Sequence, residues 1–145
     1  LSKLGEELDN PKFEEASHGD AVRILDQLEQ AAIHVAERAQ MRRFHGFPRS
    51  ARALLTKDAA KLEGLPNAHV PSHIAREWAA NPDFAAELAA EARFEAAVHE
   101  ETRLLAAGDV AGARDLWSAF PRDAGAVSLR GRIQRRIDAL PSAAR

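Results

Sequence analysis

MRRFHGFPRSAR, residues 41–52, decides how this chain folds. A long helical pattern runs into it and is broken by Gly46 and Pro48. Glycine accepts the left-handed backbone that closes a helix C-terminus, and proline, lacking an N–H, suits the first turn of the next helix. The spacing therefore predicts a helix ending near Arg43, a tight elbow, and a second helix starting at Pro48. Arg42 and Arg43 fall in the last turn of the first helix, where cations complement the dipole. Arg49 and Arg52 fall at the start of the second, where cations suit it poorly. Phe44 and Phe47 are expected to plug the elbow.

Upstream, residues 1–16 read as a short helix and a turn, with Asn10-Pro11 as a turn or helix-start signal. The first long helix is expected from near Ser17. Ala21, Leu25, Leu28, Ala32, Val35 and Ala39 then recur at alternating spacings of four and three, a seam for packing on another helix. Downstream, Ala51, Leu54, Leu55, Ala59 and Leu62 give the second helix one apolar face, and Gly64 ends it. LPNAHVP, residues 65–71, reads as a loop, and Ser72 as the cap of a short helix. Asn81-Pro82 stops that helix and starts a long one reaching about Ala107. Phe84, Leu88, Ala92, Val98 and Leu105 are its expected inner face. Glu87, Glu91 and Glu95, four apart, form an acidic ridge expected to be solvated. Gly108-Asp109 is a stop and an N-cap, Pro121 ends the next short helix, and residues 128–140 close the chain as a helix crowded with arginine. Trp78, Phe84, Leu88, Leu116 and Trp117 are the expected large core groups. The class is all-α: an antiparallel bundle of about four main helices with short accessory ones, in one helical domain over 1–145 with a frayed tail at 141–145.

Composition agrees. Ala, Leu, Glu and Arg dominate a chain that is 46% apolar but only 6% aromatic. No apolar run reaches the roughly 18 residues of a membrane span, so no membrane insertion is expected. Leu1 in place of an initiator methionine suits a piece of a longer protein, and no signal segment is visible. The absence of cysteine excludes disulfides, thiolate catalysis and cysteine-bound zinc. The formal charge of −2 conceals segregation: residues 1–29 carry −5, 30–60 carry +4, 61–115 carry −5 and 116–145 carry +4. Arginine, the dominant cation, has a fork that fits carboxylates and phosphates.

Catalytic signatures are lacking. There is no P-loop, GxGxxG or GxSxG. Glu15 and His18 have a di-iron spacing, but only once, where such sites need two motifs on facing helices. His69 and His73 are four apart, yet Pro71 separates them and His69 falls in the expected loop. Glu95 and His99 read as a plain helical pair. No enzyme, cofactor or metal is expected. The candidate site residues are instead the two basic clusters, Arg42, Arg43, Arg49 and Arg52 with Arg130, Arg132, Arg135 and Arg136. They suit a protein partner with an acidic surface. Alternatively they neutralise nucleic-acid phosphates while Phe44 or Phe47 stacks on bases, or they belong to a generic helical adaptor.

Two motifs carry a family resemblance. RFHGFPRSAR resembles the Gly-x-Pro elbow, of the form YGNPEAL, of the BID (Bep intracellular delivery) domain, through Gly46 and Pro48. HIAREWAANPDFAAELAA resembles its second element, through Asn81, Pro82, Leu88 and Ala89. The likeness spans roughly residues 30–140. Phe47 stands where the family usually has Asn, and Ala90 where it has Gly. The resemblance implies an antiparallel four-helix bundle that serves bacterial type IV secretion effectors and conjugative relaxases as a translocation signal. The implied partner is the type IV coupling protein. The implied location is the bacterial cytoplasm, with transfer into a recipient or host cell.

Overall fold

The computed structural model describes residues 11–142, with side chains from residue 17 onward. Six α-helices and one 3-10 helix follow in order: α1 Pro11–Phe44, α2 Pro48–Lys61, α3 His69–Ala80, α4 Pro82–Ala106, α5 Val110–Ser118, the 3-10 turn Ala124–Leu129, and α6 Arg130–Ala139. No strand occurs among the described residues, and the chain is an all-α helix bundle.

The predicted boundaries hold where local chemistry sets them. Gly46 takes φ +85°, and Pro48 opens α2. Asn81 accepts a hydrogen bond from the Asp83 N–H at 2.8 Å, ending α3 and capping α4. Asp109, after Gly108 at φ +75°, caps α5 by accepting from the Gly112 N–H at 2.8 Å. Three boundaries differ. The α1 helix begins at Pro11, the helix start that Asn10-Pro11 also signalled, rather than near Ser17, while the rest of the expected short helix and turn, in residues 1–10, and the frayed end at 143–145 lie outside the described residues. The α3 helix begins at His69, not Ser72, because Pro71 sits in a first turn that needs no N–H from it. Residues 124–129 form a 3-10 turn capped by Asp123 before α6 begins.

Three clusters make the core. The largest joins α4, α5, the 3-10 turn and α6 through Phe94, Trp117, Phe120, Leu129 and Ile133. A second joins α1, α2, α3 and the start of α4 through Ala39, Leu55, Trp78 and Phe84, with the two aromatic rings stacked at 5.0 Å. A small third packs Ala32 and Val35 on Leu62. Trp78, Phe84 and Trp117 are buried as expected, whereas Leu88 and Leu116 are only half-buried. The large group overlooked is Phe94. The seam on α1 is packed at Ala32, Val35 and Ala39, but Ala21 and Leu25 at its other end are exposed, because α1 runs past the helices that cover it.

Candidate functional site

The two arginine clusters meet. The Arg132 guanidinium donates to the Gly46 carbonyl at 2.6 Å and lies 4.0 Å over the Phe47 ring and 4.4 Å over Phe94. This docks α6 on the elbow. Gly46 allows the approach, since a Cβ there would stand 2.5 Å from the Ser128 carbonyl oxygen. The elbow is thus filled by an arginine between two rings. Phe44, expected to plug it, is 74% exposed at the end of α1 and lines an open cleft instead.

Four of the eight clustered arginines have carboxylate partners, and all four partners lie on α4. Arg43 makes a two-pronged bond to Glu87, at 2.8 and 2.9 Å, while lying 5.0 Å over both Trp78 and Phe84. That bond raises the guanidinium above its ordinary pKa, although burial acts in the opposite direction. Arg132 pairs with Glu91 at 2.7 Å. Arg49 pairs with Glu95 at 2.8 Å. Arg136 pairs at 2.6 Å with Glu101, whose other oxygen accepts from the Trp117 indole N–H. Glu91 and Glu101 are each only 4% exposed. The ridge of Glu87, Glu91 and Glu95 is therefore not a solvated face, except in part at Glu95. It is a charged seam between the α1–α3 half and the α6 side. The reason is counter-charge: each carboxylate faces an arginine of the elbow or of α6.

Glu91 also resolves the placement of Arg49. Phe47 gives α2 no side-chain cap, and the Glu91 carboxylate accepts the Arg49 N–H at 2.9 Å instead. An anion at that point satisfies an orphan donor and complements the helix dipole.

Arg42 donates to the Ser50 hydroxyl at 2.9 Å. Arg52, Arg130 and Arg135 are exposed, and their side chains make no hydrogen bond or ion pair among the described residues. Arg135 lines a cleft of about 670 Å³ whose apolar walls are Phe44, Trp78 and Val127, the last 51% exposed. A second cleft, of about 530 Å³, lies on its other side.

His69 and His73 share α3 after all, but His73 pairs with Glu77 at 3.1 Å. No three His, Asp or Glu side chains among the described residues converge as metal ligands. No described helix is long and apolar enough to cross a membrane. Compared with models of protein families, with curated proteins and with solved structures, the chain matches none.

Proposed function

We propose that the chain is a non-catalytic helical interaction module, docking an acidic protein surface through the elbow and α6. The role implied by the BID resemblance, a translocation signal read by a type IV coupling protein, is the specific form of this reading. One observation supports it above the others. Arg52, Arg130 and Arg135 stay exposed and unpaired after the seam has taken Arg43, Arg49, Arg132 and Arg136, and exposed Phe44 and Val127 line the cleft beside Arg135. Exposed apolar groups rimmed by charge mark interaction sites, and complementary charge steers the encounter.

The nucleic-acid alternative needs both arginine clusters as one positive face. The clusters do meet, but the row of Glu87, Glu91 and Glu95 runs between them and pairs with three of their members. Phosphates laid across that face would have to displace carboxylates or approach them.

The test is to change Arg52, Arg130 and Arg135 together to glutamine, leaving the seam intact. Folding is expected to survive, since exposed side chains away from special features are worth within about 0.5 kcal/mol. Transfer of a fused reporter through a type IV system is expected to fall. Intact transfer sinks the delivery role, and tight DNA binding by the parent domain at physiological salt sinks protein docking.

A further inference from the structure

We infer that the two clefts flanking Arg135 form one site for an extended acidic segment of a partner protein, which sets a carboxylate on Arg135 and an apolar side chain in each cleft. This deepens the docking reading above and rests on it. Arg135 lines both clefts. The second is built on Phe47, Phe94 and Val98. Every other Arg or Glu on the two linings has an ionic partner within the chain: Arg43 has Glu87, Arg132 has Glu91, Arg136 has Glu101 although its Nε makes no hydrogen bond, and Glu95 has Arg49. Arg135 is the one arginine on those linings without an ionic partner among the described residues. Its Nη1 lies 3.8 Å from where a Cβ of Gly131 would be, so the guanidinium sits beside a residue without a side chain, at the wall of the first cleft.

Charge and shape together select the occupant. A lone carboxylate or phosphate would meet Arg135 but leave the apolar walls uncovered. A nucleic-acid strand would bring successive phosphates toward Glu87 and Glu95, which line the two clefts. A segment with one acidic residue between apolar ones meets the single unpaired cation and covers apolar surface on both sides.

The experiment titrates the ¹⁵N-labelled chain with short synthetic peptides that carry a central glutamate flanked by phenylalanine and leucine. One control has glutamine at the centre, and another has serine in place of both apolar residues. The glutamate peptide is expected to shift backbone resonances along both clefts and to weaken with salt. The glutamine peptide should bind about tenfold more weakly, the loss of one charge-assisted hydrogen bond. Arg135→Gln should make the two peptides bind alike at an unchanged Tm, and Val127→Asp should weaken both. The inference is overturned if the parent chain binds glutamate and glutamine peptides equally, if shifts stay in one cleft, or if no peptide binds at millimolar concentration. A duplex DNA oligonucleotide separates the two failures. DNA that binds at physiological salt and displaces the peptide overturns protein docking as a whole. Peptide failure without DNA binding overturns only the two-cleft site.

Discussion

Replacing Glu91 with alanine should destabilise the fold far more than its charge would suggest. Glu91 is 4% exposed, and its side chain holds two donors, the Arg49 N–H at 2.9 Å and the Arg132 guanidinium at 2.7 Å. Alanine is the best helix former, so α4 itself loses nothing. What is lost is the partner of a mostly buried guanidinium, and breaking a buried pair from one side costs about 3–5 kcal/mol. The uncapping of α2, about 1 kcal/mol in an ordinary helix, overlaps with that figure because one carboxylate serves both. At about 2–4 °C per kcal/mol for a chain of this size, Tm should fall by on the order of 10 °C. Glu91→Gln keeps an acceptor oxygen but no charge, and should fall between the parent and the alanine variant. The assay is urea unfolding followed by far-ultraviolet circular dichroism, with the slope m unchanged so that the midpoint reports stability. A cost for Glu91→Ala below about 1 kcal/mol would refute the reasoning, since it would equate Glu91 with a surface charge.

Other outcomes follow from the same geometry. Arg43→Ala should cost about 2–4 kcal/mol through its two-pronged bond and its two rings. Arg49→Ala should stay within about 1 kcal/mol, because its pair with Glu95 is exposed and its backbone N–H remains. Denaturant midpoints of the two variants check this order. Gly46→Ala and Gly64→Ala both force alanine to positive φ, about 1–2 kcal/mol. Only at Gly46 does the new Cβ meet a backbone carbonyl, so calorimetry should find Gly46→Ala clearly the worse. Phe44→Ser should leave Tm within a degree or two, about 0.5 kcal/mol, because the ring is mostly exposed. A large drop would mean the ring fills the elbow.

The elbow, the caps at Asn81 and Asp109 and the bundle class were legible because each rests on chemistry within a few residues. The inner face of α4 was not. Periodicity assigns charged residues to solvent, yet Glu91, Phe94 and Glu101 share its buried side. The arginine partners of the two glutamates are 35 or more positions away in sequence, as in Arg136–Glu101 and Arg132–Glu91. A usable signal did exist: Arg49 stands at a helix start, where a cation needs a compensating anion, and a block of −5 lies between two of +4. Of the eight candidate arginines, sequence could not separate Arg43 and Arg132, spent on the fold, from Arg52, Arg130 and Arg135, which face solvent. That separation depends on which helix packs beside which.

The central claim is that the elbow and α6 are held to α4 by paired charge. A double-mutant cycle on Glu91→Gln and Arg132→Met tests it most directly, because each single change strands the other partner and the double change strands neither. The account predicts a coupling energy of about 1.5–3 kcal/mol, the upper range for residues in one bonded network, with the double variant no less stable than the worse single one. Additive losses, with coupling below about 0.5 kcal/mol, would contradict it.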